Sequence, residues 1–339
     1  MAVRLADGFF MPGSGRVTLL GRLVIAAATA ACCGCGQTDL PASGSGGAGG
    51  LDGGAGVAGA LGTSCPVVEE PVLVAKTTTT SYIDTAAQYL ALDETHVYFS
   101  EPAHGTVSRV PRCGGEVQTL VKGQDTPLQI AVDVEDVHWV NGGSTPTSGQ
   151  LLRLAKGGGT AVVVANGLRQ PWGLAMDDVA LYADTHQGIL RYLKASPSPG
   201  VKVAAAAAYP GIAVDETHVY WPTARAPKQG GDAVLLAAAS GTAWCVAVDG
   251  ESLFWTEYTH AVWRVPKAGG PKVQILPDGP WRCIAVDAQH VYAASDIGVS
   301  RVAKDGTDQK VFQPGGVGIA VDDEDVFWAN DEGIWRVSK

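Results

Sequence analysis

Pro210-Gly211-Ile212-Ala213-Val214-Asp215-Glu216-Thr217-His218-Val219-Tyr220-Trp221 decides the fold, because the chain rewrites it seven times. The other copies are LALD-ETH-VYF from Leu90, IAVD-VED-VHW from Ile130, LAMD-DVA-LYA from Leu174, VAVD-GES-LFW from Val246, IAVD-AQH-VYA from Ile284 and IAVD-DED-VFW from Ile319. Their aspartates fall at Asp93, Asp133, Asp177, Asp215, Asp249, Asp287 and Asp322, with steps of 40, 44, 38, 34, 38 and 35 residues.

Each unit encodes four short strands. IAVD is continuously apolar, as an innermost strand buried on both faces must be. The Asp at the head of the polar triplet can cap its own turn, so a tight hairpin follows. VYW, with aromatic and β-branched residues, is the second strand. A third run, such as TVSRV, GILRY, AVWRV or GIWRV, leads through Gly-rich turns (PRCGG, AKGGG, PKAGG) to an outer strand such as VQTLV or KVQIL. A period near forty residues with four strands per unit predicts an all-β, seven-bladed β-propeller. After GIWRV no outer strand follows, so Pro71-Val72-Leu73-Val74-Ala75 is expected to complete the last blade, a closure that removes open edges. Blade four is short, AVLLAAASGTAWC leaves little room for an outer strand, and its third-strand Arg lapses to Leu236.

The phrase resembles the YWTD and NHL propeller repeats, in which P-x-G-I-A-V-D precedes V-Y-W-x-D and I-x-R-x. Residues 210–215 with Val219-Tyr220-Trp221 match it best. The resemblance spans about residues 66–339 and implies the propeller fold, but such repeats serve receptors, adhesins, hydrolases and lyases alike. The YWTD Asp is replaced here by Glu101, Asn141, Thr185, Thr223, Glu257, Ser295 and Asn330.

Ahead of the propeller (65–339) the chain divides in two. Residues 1–35 carry a positively charged start, the apolar stretch RVTLLGRLVIAAATAA and Cys32, Cys33 and Cys35; they read as an export signal too short to span a membrane. Met11 is a second candidate start. Thr29-Ala30-Ala31-Cys32 resembles a bacterial lipobox, which implies lipidation at Cys32. Residues 36–64, rich in Gly, Ala and Ser, form a tether. The expectation is an exported monomer held by a lipid anchor to the cell envelope, at the outer membrane of a bacterium. The net charge of −10 argues against nucleic acid and against direct adhesion to anionic lipid. Four cysteines remain; Cys245 with Cys283 and Cys65 with Cys113 are the favoured disulfide pairs, among three possible connectivities.

In a four-stranded blade, the loop entering strand one and the loop joining strands two and three open on one face, around the channel. Trp172, Trp244, Trp281 and Tyr209 occupy entering loops, as a recognition surface or as a packed plug. The strand two to three loops carry Glu101 and His104, Asp184 and His186, Glu257 and His260, and Asn330-Asp331-Glu332. Carboxylates and imidazoles converging there could serve acid–base or metal chemistry. Phe254-Trp255-Thr256-Glu257 resembles the repeat of streptogramin B lyase, a seven-bladed Mg-dependent propeller. The third-strand arginines (Arg109, Arg153, Arg191, Arg264, Arg301, Arg336) are expected to pair with turn aspartates on the opposite face. The leading expectation is a non-enzymatic, cofactor-free envelope propeller that binds a protein, small-molecule or glycan partner at its channel mouth. The rival is a lyase or lactonase using Glu257, His260, Glu101 and His104 with Ca or Mg.

Overall fold

The computed structural model describes residues 64–77, 89–195, 199–205, 211–257 and 261–339. The regular structure in them is entirely β-strand, arranged as seven four-stranded antiparallel sheets. Six sheets are runs of four consecutive strands. The seventh runs inward from Val72–Lys76 through Gly333–Ser338 and Asp325–Ala329 to Gly318–Val321. The protein is therefore a seven-bladed β-propeller whose last blade is completed from the N-terminal side.

Innermost strands pack side by side around the axis, with Gly318–Val321 against Tyr89–Leu92 closing the circle. Their apolar runs are buried, as the sequence pattern requires. Between blades lie the strand-two aromatics: Tyr98, Phe99, Trp139, Tyr182, Tyr220, Phe254, Trp255, Tyr292, Phe327 and Trp328 are all fully buried. Successive strand residues face opposite sides, so adjacent aromatics such as Phe254 and Trp255 fill the gaps to two different neighbours.

The seam between blades seven and one is locked several ways. Val72 pairs with Arg336, Leu73 with Trp335, Ala75 with Ile334 and Lys76 with Gly333. Upstream, Ser338 N–H donates to the Val68 carbonyl at 3.0 Å and Arg336 donates to the Pro66 carbonyl at 2.7 Å. Cys65 and Cys113 form a disulfide that ties this segment to blade one. Gly333, at φ +152°, allows the close approach: a Cβ there would strike the Ala75 carbonyl.

Blade four departs from the sequence reading. Its third strand is Ala224–Pro227, so the arginine is kept as Arg225 and does not lapse to Leu236. The outer strand exists but is only Val234–Leu235. The apparent gap arose because Thr223, at φ +71°, turns the chain at once from strand two into strand three.

The face away from the channel mouth is a closed circle of ion pairs. Lys156 reaches back to Asp93 (2.7 Å), Lys194 to Asp133 (2.9 Å), Lys228 to Asp177 (2.7 Å), Lys267 to Asp215 (2.8 Å), Lys304 to Asp249 (2.6 Å) and Lys339 to Asp287 (2.5 Å). Arg112 of blade one completes it on Asp322 of blade seven at 2.5 Å. Each cation belongs to the blade after its aspartate. In the copies headed by Asp93 and Asp215, Oδ1 accepts the backbone N–H groups two and three residues on, while Oδ2 takes the lysine and the tyrosine hydroxyl five residues on. The cations also stand over rings, as Lys267 over Tyr220 at 5.1 Å and Arg112 over Phe327 at 5.5 Å.

The expected pairing of third-strand arginines with turn aspartates holds in part. Arg153 pairs with Asp136 (3.2 Å), Arg336 with Asp325 (2.9 Å) and Arg301 with Asp308 (3.1 Å), but the repeat aspartates themselves go to the lysines. Arg109 instead reaches Gln118 and the Lys156 carbonyl, Arg191 reaches Gln229, and Arg264 reaches Ser252 and the Lys304 carbonyl. The lysine three residues further along gets to the carboxylate first, because the turn carries it directly under the preceding blade.

Burial alone would raise the pKa of Asp93, Asp133, Asp177, Asp215, Asp249 and Asp287, but hydrogen bonds from the cations, from backbone N–H groups and, at several sites, from ring groups hold all six below the ordinary carboxylate value, Asp287 at about 2. A depressed folded pKa gives stability that is complete above the unfolded Asp value of about 3.9 and is lost as pH falls through the folded value. The melting midpoint should therefore fall steeply between about pH 4 and pH 2. His96 and His218, held neutral by burial and by nearby Arg109 and Arg225, add a shallower loss that begins below about pH 6.5. Thermal scans from pH 7 to pH 2 check this; a midpoint flat down to pH 2 would show that the ring contributes nothing.

Candidate functional site at the channel mouth

The mouth breaks the symmetry that the opposite face keeps. Four residues before each repeat Asp, the chain places Tyr89, Gln129, Gly173, Gly211, Cys245, Cys283 and Gly318. Tyr89, Gln129, Cys245 and Cys283 are wholly buried and close the channel below the mouth. Burial first, and the charges the Cys283 and Cys245 sulfurs would carry second, push the Tyr89 phenol far above its ordinary range. Cys245 and Cys283 are thiols in contact, with Sγ atoms 3.1 Å apart, and not the disulfide expected from their register. Neighbouring innermost strands bring them together but stop short of bonding distance.

Bulges re-aim the entry to the innermost strands of blades two, five and six, between Pro127 and Ile130, Ala243 and Val246, and Trp281 and Ile284. On blades five and six this builds a stack. The Arg282 guanidinium lies 5.6 Å over the Trp244 ring and is held from the other side by Asp296, with Nε to Oδ1 at 3.2 Å and Nη2 to Oδ2 at 3.0 Å. Trp281 turns away and donates its indole N–H to the Pro277 carbonyl at 2.8 Å. Trp244 and Trp281 are 8% and 7% exposed, so they pack more than they project, whereas Trp172 is half-buried. Arg282 and Asp296 escaped the sequence reading. The signal was available: Arg282 and Trp244 both stand five residues before their repeat Asp, whereas Trp281 stands six before.

The candidate acid–base residues do not form one constellation. Glu257 is fully buried and accepts the Ser240 N–H (2.9 Å) and the indole N–H groups of Trp255 (3.0 Å) and Trp263 (3.2 Å). Glu101, buried in blade one, accepts the Thr106 hydroxyl at 2.8 Å. Asn330 plays the same part in blade seven, accepting the Trp335 indole N–H at 3.0 Å. This position thus fastens the hairpin between strands two and three. His104 and His186 are exposed. Asp184 is buried in blade three, its oxygens have no hydrogen-bond partner among the described residues, and burial pushes its carboxyl well above the usual range. Tyr209, His260 and Cys32 lie outside the described residues.

Two further features mark this face. An open pocket between blades six and seven is lined by Asp296, Asn330, Asp331, Glu332 and the Pro314–Val317 turn. Among the described residues three of the four non-glycine residues at positive φ lie here, Thr126 (61°) and Gln170 (45°) in entering loops and Thr223 (71°) in a hairpin turn, while Asp308 (50°) lies on the opposite face. A β-branched residue in that region is strained, and such strain collects at binding and catalytic surfaces. Among the described residues no group of three or more His, Cys, Asp or Glu is placed to hold a metal ion.

No protein-family model and no curated protein sequence matches the chain. Solved structures do. The fold is similar to that of a streptogramin B lyase (TM-score 0.61, 14% identity, 78% of this chain and 96% of the other). It is also similar to the WD40 β-propeller domain of Doa1 (0.62, 10% identity, 80% and 97%). The computationally designed Ika8 protein matches as well (0.55, 10% identity, 77% and 98%). At such identities the likeness establishes the propeller fold alone.

Proposed function

We propose that this propeller is a non-enzymatic binding protein, lipid-anchored at the cell envelope, that takes a protein, small-molecule or glycan partner at its channel mouth. The contrast between its two faces carries the reading. On one face every blade satisfies its neighbour in the same way, and seven equivalent ion pairs leave nothing to recognise a ligand. The other face differs from blade to blade, concentrates the strained turns, and presents Trp172, the Trp244–Arg282–Asp296 stack and an acid-lined pocket. Tryptophan and arginine are the residues that dominate binding energy at interfaces, and indole faces suit sugar rings as well as protein side chains. The lyase-type reading gains no support from Glu257, whose oxygens already accept three N–H groups. The anchor rests on Thr29-Ala30-Ala31-Cys32 and the Gly-rich tether.

The test is equilibrium capture by the purified full chain of partners from envelope extract and from a glycan panel. Trp172→Ala combined with Asp331→Asn and Glu332→Gln should weaken capture at least about tenfold, a loss of about 1.4 kcal/mol, in a chain that still unfolds cooperatively. Glu216→Gln with Glu251→Gln, both exposed on the far face, should leave capture unchanged. Binding lost through the far-face pair but kept in the mouth triple would overturn the assignment. Turnover that depends on added Mg or Ca would favour the enzyme.

A further inference from the structure

Cys245 and Cys283 occupy the same register on the innermost strands of adjacent blades, and the remaining blades place Tyr89, Gln129, Gly173, Gly211 and Gly318 there. The circle thus holds one neighbouring pair of thiols. Their Sγ atoms are 3.1 Å apart, both residues are fully buried, and the Cys245 sulfur also accepts the Ile284 N–H at 3.2 Å. Thr256 ties the same two strands, its hydroxyl donating to the Arg282 carbonyl at 3.1 Å and accepting the Cys245 N–H at 3.2 Å. Bringing the sulfurs to a bonded distance of about 2.05 Å asks for about 1 Å of movement shared between two side chains. The Thr256 and Ile284 hydrogen bonds already hold the two strands at this contact.

We propose that Cys245 and Cys283 form a dithiol–disulfide site, a second inter-blade staple beneath the Trp244–Arg282 stack. The chemistry needs an oxidant of the disulfide class, such as oxidised glutathione. One cysteine, as thiolate, attacks a sulfur of that disulfide and releases one thiol. The second cysteine displaces the mixed disulfide and releases the other, so the pair gives up two protons and two electrons and the oxidant becomes two thiols. In the finished ring neither sulfur is exposed, and burial disfavours the Cys283 thiolate. Exchange therefore happens as blades five and six dock, while an oxidant still has access, and the finished bond is shielded from reductant. The staple fixes the two strands that carry Trp244 and Arg282, while Cys65–Cys113 holds a second junction, between blades seven and one.

The full chain is unfolded in reductant, refolded in a mixture of oxidised and reduced glutathione, capped with N-ethylmaleimide and digested with trypsin. The expected result is peptide 229–264 joined to peptide 283–301, together with the Cys65–Cys113 bridge as an internal control. The oxidised protein should melt about 5–10 °C above the protein refolded in reductant, and by a larger margin than in Cys283→Ser, which keeps only the control bridge. Maleimide on both Cys245 and Cys283 in molecules whose control bridge has formed would overturn the proposal, whatever the stability of the variant.

Discussion

A chain lacking residues 66–77 should melt at least about 10 °C below the intact protein, or not fold cooperatively at all. The deletion removes the outer strand of blade seven, with its four register pairs to Gly333–Ser338. It removes Val74 and Ala75 from a cluster that spans the seam with Leu90, Val97, Phe99, Phe327 and Ile334. It also takes the Pro66 carbonyl from Arg336, which is 3% exposed and has little water to turn to. Several kcal/mol lost from a total of about 5–15 kcal/mol is a large fraction, and a domain of this size shifts by about 2–4 °C per kcal/mol. Circular dichroism melts of the two proteins decide it. Equal midpoints would mean that the innermost strands and the Arg112–Asp322 pair hold the ring shut without the added strand. Cys113→Ser, which cuts the disulfide but leaves the strand in place, separates the covalent part of the lock from the rest.

The second large effect is expected at Asp325. This carboxylate is 1% exposed and faces Arg336 at 2.9 Å, Arg112 at 3.4 Å and the Ser338 hydroxyl at 3.0 Å. Asp325→Ala leaves the buried Arg336 without its counter-charge, which costs about 3–5 kcal/mol, more than the pair itself contributes. Asp136 supplies the comparison, standing at the same place in blade two, three residues after its repeat Asp, and pairing with Arg153 at 3.2 Å. There the arginine side chain is 44% exposed, so Asp136→Ala should cost under about 1 kcal/mol. Urea unfolding of both variants measures the difference. Equal losses would show that burial at the seam is not what makes Asp325 matter.

The fold was open to reading because seven copies of one phrase repeat a strand pattern that each copy alone only suggests. The N-terminal closure followed from a strand missing after Trp335-Arg336-Val337. Blade four resisted because Ala224-Arg225-Ala226-Pro227 lacks the bulky apolar residues of the other third strands, and the strand is held by backbone pairing to His218–Trp221. The ion-pair circle was half visible. Its lysines were in view, but pairing them with aspartates requires knowing which blade lies beneath which turn. At the mouth, burial decided what sequence could not. Trp255 and Glu257 are two apart on one strand and share a face, so that contact is local, but the Ser240 N–H that completes the carboxylate's shell comes from the entering loop. Arg282 has no counterpart in the other copies, and the bulge at Trp281 turns it onto Trp244.

The circle of ion pairs also says something about the repeat as a building block. Each copy carries an anion for the copy after it and a cation for the copy before it, so no copy can satisfy itself. A row of blades of any length leaves an unmatched carboxylate at one end and an unmatched ammonium or guanidinium at the other. Those two ends are complementary in the head-to-tail sense that makes rings where the rotation closes and filaments where it does not. Arg112 on Asp322 is the point at which this row meets itself. The tilt between blades sets the number seven, and the ion pairs register only whether the circle is shut.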